Sequence, residues 1–337
     1  MIDWTLKKKI QMVDLKAQHD ELSSELTQAI QSVVNSSQYI NGEEVIQFSS
    51  ELSSFLGGAE VIPCGNGTDA LQLAYMALEL QPGDEVIIPS FNYVAAAEAA
   101  CLLKLKPVFA EISNDHFCID PKSVEKLINS KTKAIVAVHL FGQGCDLESL
   151  TSISNQYGLV LIEDNAQSIG AVSQQKSTFG KPLGTIGGVG ITSFFPSKNL
   201  GAMGDGGAVF CSDPELADQI RMMANHGQRV RYRYEKIGIN SRLDAIQAAI
   251  LRIKLPWLGS FNERRLEVAN RYDAWLGNHP GIRIPERNSF SNHVFHQYTI
   301  QLKDKDTRNE LQAWLAEWGI QSIIYYPIPL HLQPAYK

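Results

Sequence analysis

Paired cysteines are what this 337-residue chain most plainly lacks. Its five, Cys64, Cys101, Cys118, Cys145 and Cys211, are odd in number and scattered, with no Cys-x-x-Cys spacing. Neither a disulfide framework nor a zinc cluster is expected, and no metal site; buried free thiols in a reducing cytoplasm are. No apolar run approaches the ~20 residues that span a bilayer. The first ten residues carry three lysines but no apolar core of the signal-peptide kind, so a soluble, cytoplasmic protein is expected. A basic excess is also missing. The net charge of -6 gives no footprint for nucleic acid or an anionic membrane. A local basic patch could still gather a small anionic substrate. Repeats and low-complexity tracts are absent too. The remainder is ordinary globular composition, 44% hydrophobic and 20% charged, with length for about two domains.

Residues 15–56 read as helices broken near Asn41-Gly42, and 70–78 has helical spacing rich in strong helix formers. Pro82-Gly83 turns the chain into the short apolar run 85–89. A helix over 94–103 leads to a run at 107–109, and Asp120-Pro121 reads as a cap and first-turn proline. Runs at 134–138 and 159–162 flank a helix at 147–157. Strand alternating with helix predicts βαβ units and a mostly parallel, buried sheet, whose ligands sit outside the carboxyl ends of the strands. Two more strands, 187–195 and 206–211, place Lys198 on the turn between them. Helices are expected at 243–255, ending at Pro256, and from 261 to 276. A strand over 294–302 and a helix over 307–318 then suggest a smaller α/β domain starting near Ser241. The expected domains are residues 1–240 and 241–337.

Three features carry chemistry. Lys198, in Ser193-Phe-Phe-Pro-Ser-Lys-Asn-Leu-Gly201, has an amine able to condense with a carbonyl. Glu163-Asp164 ends an apolar run, where a carboxylate can hold a protonated ring nitrogen. Gly65-Asn-Gly-Thr-Asp69 opens a helix, where glycine lets a phosphate approach unpaired N–H groups; alone it would be an ordinary turn and cap. In this order the three describe a pyridoxal phosphate (PLP) site. Gln228-Arg-Val-Arg-Tyr-Arg-Tyr234 would set Arg229, Arg231 and Arg233 on one face if extended. Such a face suits a diphosphate or carboxylate, and a solvated basic loop is the plainer alternative. His139 has no second ligand at sensible spacing and reads as a core or pocket histidine. Trp314 and Trp318, at i and i+4, read as core.

The chain resembles the DegT/DnrJ/EryC1/StrS family of PLP-dependent nucleotide-sugar aminotransferases. The resemblance rests on Asn66-Gly-Thr-Asp-Ala-Leu71, Pro89-Ser-Phe-Asn-Tyr93, Glu163-Asp-Asn-Ala-Gln-Ser-Ile-Gly-Ala171 and the Lys198 stretch. Gly204-Asp-Gly-Gly207, Asn225-His-Gly227, Asn240-Ser-Arg-Leu-Asp-Ala-Ile-Gln-Ala-Ala249 and Tyr325-Tyr-Pro-Ile-Pro-Leu-His331 follow in the family's order. The resemblance implies the aspartate aminotransferase fold (fold type I), an α/β architecture with a mostly parallel central sheet and a smaller C-terminal α/β domain. It implies that Lys198 joins the cofactor covalently and then moves the substrate proton. Asp164 would pair with the ring nitrogen, Gln167 with the ring hydroxyl, and Gly67, Thr68 and Ser193 with the phosphate. Tyr93 would stack on the ring, and Asn240 would reach the phosphate in a neighbouring subunit, making a homodimer with shared sites. Arg229, Tyr326 and His331 would meet the sugar.

The implied reaction is ping-pong transamination from an amino acid, L-glutamate first, to a nucleotide-linked keto-sugar, for polysaccharide or related glycan biosynthesis. The wording around Phe194, Asn240 and Tyr325 is similar to that of members acting on 3-keto sugars. A UDP-2-acetamido-3-keto-hexuronate is the first expectation, because an arginine face would suit a uronate. A dTDP-3- or 4-keto-6-deoxyhexose is second. Sugar dehydratases of this fold replace the lysine, typically by histidine, so Lys198 argues against that reaction. Together with Asp164, Gln167 and the phosphate loop, it argues also against a non-catalytic regulator that kept the fold. Family members continue past the Leu-His-Leu-Gln-Pro-Ala-Tyr stretch whereas this sequence stops at Lys337, so the small domain is expected to lack its last elements.

Overall fold

A computed structural model describes residues 9–337; the lysine-rich start read above lies largely outside the described residues. Three amphipathic helices come first, α1 (Leu15–Glu21), α2 (Ser23–Ser36) and α3 (Glu43–Phe55), with the expected break at Asn41-Gly42. Strand β1 (Glu60–Cys64) then leads into α4 (Gly67–Ala77). The alternating part is β2 (Glu85–Pro89), α5 (Ala95–Leu102), β3 (Lys106–Ala110), α6 (Pro121–Leu127), β4 (Thr132–Val138), α7 (Leu147–Tyr157) and β5 (Val160–Asp164). Asp120 caps α6 by accepting from the Lys122 N–H, with Pro121 in the first turn, as its sequence predicts. β6 (Val189–Ser193), β7 (Gly207–Cys211) and α8 (Pro214–Ala224) complete this part.

The seven strands form one sheet in the order β1-β7-β6-β5-β4-β2-β3. β7 runs antiparallel to both its neighbours, and every other pairing is parallel. The parallel strands β2, β4 and β5 are almost wholly buried, each around an apolar run, as helices on both faces require. One face packs on α4, α5 and α8 around Tyr75, Ile88 and Val136. The other divides between a cluster around Phe48 and Phe210 and one around Ile87, Ile135 and Leu150. β1 has no counterpart in the sequence reading, because five residues containing Glu60 and Pro63 give no apolar run.

Past β7 three expectations need correction. The arginine stretch is not one extended face: β8 (Gln228–Val230) and β9 (Arg233–Tyr234) pair antiparallel, and Arg231-Tyr232 form their turn. Tyr232 takes a left-handed φ of 68° there, and its N–H donates to the Gln228 side chain at 2.8 Å. The helix expected to end at Pro256 does end there: α9 (Ala245–Lys254) gives way to a single 3-10 turn, Leu255–Trp257, and α10 (Leu258–Leu276) follows, starting three residues before the expected 261. The strand expected over 294–302 shrinks to β11 (Gln301–Leu302), paired with β10 (Ile282–Arg283). Residues before it bond to a loop instead: Val294 N–H donates to the Gly142 carbonyl at 2.8 Å and Gln297 N–H to that of Phe141 at 3.3 Å. Finally, α11 (Lys305–Glu317) buries no residue, so Trp314, 52% exposed, is not core. Its indole lies tilted by 49° against that of Trp318, ring centres 5.8 Å apart, and Trp318 is itself only partly buried rather than core.

Four cysteines are buried free thiols, as expected, and Cys101 is exposed. α9, just past Ser241, packs on α2 and α3, with Ala245, Ala248 and Leu251 in the Phe48 cluster. Among the described residues no helix is long and apolar enough to cross a membrane.

Candidate active site

The reversal of β7 builds one edge of the site. Gly207 pairs with Cys64 on one side and Ser193 on the other, so the ends of β1 and β6 share a row with the start of β7. Asn66 then caps α4, accepting from the Asp69 N–H at 2.8 Å, and leaves Gly67 and Thr68 as the first helical residues. Neither of their N–H groups has a partner among the described residues, as expected of a first turn. Ser193 lies directly beside them, and a Cβ on Gly67 would stand 2.9 Å from the Ser193 Cβ. A Cβ on Gly207 would stand 2.5 Å from the Asn66 carbonyl, so glycine there lets β7 pass under the helix start. Two free N–H groups, a hydroxyl and a glycine gap fit an anion such as a phosphate. Ser241 ties the later chain to this cradle, donating to Asp69 at 2.6 Å and accepting from the Gly65 N–H at 2.9 Å. Its neighbour Asn240 is exposed.

The acidic pair at the end of β5 divides between the two faces of the sheet. Glu163 is fully buried and anchors structure. It faces His139 at 2.9 Å and accepts from the N–H groups of Gly184, Ile186 and Gly187 at 2.8, 2.6 and 2.5 Å. Burial alone would raise its carboxyl, but His139 and these donors outweigh that and hold it below the ordinary value. His139 accepts from the Cys145 N–H at Nδ1, at 3.2 Å, which assigns the ring proton to Nε2, facing Glu163. It is the core histidine expected.

Asp164 is buried on the other face, and the Ala166 N–H donates to its Oδ1 at 3.0 Å. Burial raises its carboxyl, against the pull of that N–H, Lys198 and His139. Lys198 follows β6 in a turn closed by its N–H to the Phe195 carbonyl at 2.9 Å. Burial brings its amine from 10.5 down to about 8, although Asp164 pulls the other way. A desolvated amine, a buried carboxylate and an anion cradle at one sheet edge fit the aldehyde, ring nitrogen and phosphate of PLP.

Gln167 accepts from the Phe141 N–H at 2.8 Å, and its amide reaches the Tyr326 hydroxyl at 3.5 Å. Burial raises the Tyr326 phenol, and its ring packs edge-on against Phe91, centres 5.5 Å apart. The last segment reaches this edge because the Leu330 N–H donates to the Ser90 carbonyl at 2.9 Å. Tyr93 is 59% exposed, and His331 is exposed near Phe109. Arg229 stands apart from these groups in its bonding: Asp218 and Glu235 hold its guanidinium, each at 2.6 Å. One residue at Lys198 had no signal in the sequence. His296 is buried with Nδ1 unpartnered, and burial, Lys198 and Arg265 push it far below the usual histidine range.

A sequence profile of the DegT/DnrJ/EryC1/StrS aminotransferase family matches residues 20–337. The UDP-2-acetamido-2-deoxy-3-oxo-D-glucuronate aminotransferase of Pseudomonas aeruginosa is 45% identical over 331 residues, covering 97% of this chain and 88% of that one. A pleiotropic regulatory protein of Geobacillus stearothermophilus is 42% identical over 97% of this chain and 86% of its own. The solved structure of S. venezuelae DesV superposes with a TM-score of 0.93 at 40% identity, covering 97% of this chain and 86% of that one. The chain therefore belongs to the DegT/DnrJ/EryC1/StrS aminotransferase family, with the fold of PLP-dependent aminotransferases and PLP as its cofactor.

Proposed function

We propose that this enzyme moves an amino group from L-glutamate to the keto carbon of a nucleotide-diphosphate sugar, a UDP-2-acetamido-3-keto-hexuronate in the first instance. The observation that carries the reading is the buried pair of Lys198 and Asp164 at the carboxyl edge of the sheet. The P. aeruginosa relative, whose name specifies a 3-oxo-glucuronate, supports the sugar class.

Bound PLP supplies an electron sink that weakens the C–H bond beside the reacting nitrogen. In this reading Asp164 keeps a proton on the ring nitrogen, and Gln167 steadies the ring hydroxyl. Gly67, Thr68 and Ser193 hold the phosphate by N–H and O–H donation, and Tyr93 covers the ring. The Lys198 amine takes the proton from the donor carbon and returns one to the sugar carbon. An amine near 8 is about one-tenth neutral at pH 7, roughly three-hundred-fold more than an ordinary lysine, so it can take a proton without being stripped first. Asn240, exposed beside the Ser241 anchor, would serve the phosphate of a second copy in a homodimer. Tyr326 and His331 would line the sugar pocket, and Arg229 would meet an anionic group after leaving Asp218 and Glu235. The division into residues 1–240 and 241–337 belongs to the same proposal, with α9 as the part of the second segment that packs on the first.

The test is a panel of UDP- and dTDP-linked keto-sugars with glutamate, read by product mass and 2-oxoglutarate release. Amination of the UDP-hexuronate ahead of dTDP-6-deoxyhexoses supports the proposal. Preference for a dTDP sugar overturns the substrate, and no 2-oxoglutarate with any sugar overturns the reaction. Borohydride reduction of the holoenzyme, followed by peptide mapping, should place the cofactor on Lys198.

A further inference from the structure

The turn that carries Lys198 and the turn that carries Asp164 and Gln167 are separate in sequence, yet one buried side chain joins them. Asn199, 2% exposed, donates its amide to the Asn262 Oδ1 at 2.7 Å and to the Val294 carbonyl at 3.0 Å. Asn262, 8% exposed and on α10, donates its own amide to the Ile169 carbonyl at 3.2 Å. The backbone carbonyls at both ends fix the direction of this relay. Val294 O can only accept, so Asn199 turns its NH2 inward; Asn262 must then present oxygen to Asn199 and nitrogen to Ile169. The fit is close, since a Cβ on Gly170 would stand 2.6 Å from the Asn262 Nδ2. A second tie holds the far end of the Lys198 turn, where buried Lys254 donates to the Gly201 carbonyl at 2.8 Å.

We propose that Asn262 is a positioning residue, a strut from α10 that sets the Lys198 turn against the Asp164–Gln167 turn through Asn199 and Ile169. It touches none of the reacting atoms. Its action is to keep the amine buried and opposite the carboxylate. Loss of its oxygen leaves the Asn199 amide with one acceptor, and loss of its nitrogen leaves the Ile169 carbonyl unpaired. In either case the turn is free to move toward solvent, and a displacement near 1 Å costs about a hundredfold where alignment matters.

The inference rests on Lys198 as the reactive amine, and the experiment separates the two. In the full-length, cofactor-free protein, the pH midpoint for acylation of Lys198 is measured by competitive labelling and mass spectrometry. The wild-type midpoint should lie near 8. In Asn262→Ala it should rise by about one pH unit or more as solvent reaches the amine. In the holoenzyme, kcat should fall about 10- to 100-fold with the glutamate KM within about threefold. Asn262→Asp keeps the acceptor and the volume but cannot donate to Ile169, so it gives the same direction in a milder form should the alanine variant fold poorly. Leu150→Ala, in the core at α7, is the control for loss of stability alone. Wild-type midpoint and kcat in both Asn262 variants would overturn the strut, as would an equal midpoint shift in Leu150→Ala. Full transamination by Lys198→Ala would instead overturn the assignment of the amine, leaving the labelling result to decide the strut.

Discussion

Lys198→Met removes an amine but keeps an unbranched side chain of similar length. In the folded protein that amine sits near 8 rather than at the ordinary 10.5. At about 1.4 kcal/mol for each pH unit, holding it charged costs the fold about 3 kcal/mol at pH 7. The attraction of Asp164 is already included, since it opposes the effect of burial. A lysine with a lowered folded value destabilises fully below about 8. Between about 8 and 10.5 the unfolded chain binds more protons, so stability rises with pH across that window. The cofactor-free Lys198→Met protein should therefore be the more stable by about 3 kcal/mol at pH 7, about 1.4 at pH 9.5, and under about 0.5 at pH 10.5. Lys254, also near 8, contributes the same slope to both proteins and drops out of the difference. Urea unfolding at the three pH values provides the measurement. No gain at pH 7, or a gain that grows toward alkaline pH, would refute the argument that the amine is desolvated.

Gly67→Ala should leave the fold intact but weaken PLP binding about tenfold or more, because its Cβ needs the space beside Ser193. Unchanged affinity in a spectroscopic titration would remove Gly67 from the cradle. Glu163→Gln turns an NH2 toward N–H donors and should cost about 3 kcal/mol or more in unfolding. Because the Glu163 value is depressed, its contribution is present above the ordinary 4.5 and lost as pH falls through the folded value; the variant should lack that acid-side loss. Arg229→Ala should raise the nucleotide-sugar KM about tenfold while the glutamate half-reaction keeps its rate. Steady-state constants unchanged for both substrates would return Arg229 to a purely structural pairing with Asp218 and Glu235.

The alternation of strands and helices between residues 85 and 164 could be read from the sequence because fully buried strands are continuous apolar runs. The direction of β7 could not, since nothing in Gly-Ala-Val-Phe-Cys encodes which way its partners run. β1 escaped because Glu60 opens it and Pro63 cuts its apolar run to Val61-Ile62. The stretch before β11 alternates like a strand, but its backbone partners lie some 150 residues earlier, on the 141–142 loop. The site divides along the same line. Lys198, Asp164 and the Gly67 turn lie within local motifs, and the structure brings them to one edge. His296 and Asn262 lie in no motif of their own and gain meaning only from what the fold sets beside them. The acidic pair looked like one feature and is two, because neighbouring residues of a strand face opposite ways.

The pairing of β7 between β1 and β6 also orders events in time. β1 is made early, but its one strand partner among the described residues is β7, so the helix start at Gly67 is not seated against Ser193 until Cys211 has been synthesised. A growing chain can form α4 and the inner strands long before the edge between Gly67 and Ser193 can close. Closure of that edge is thus a late event, because it needs the early and middle parts of the chain to have met.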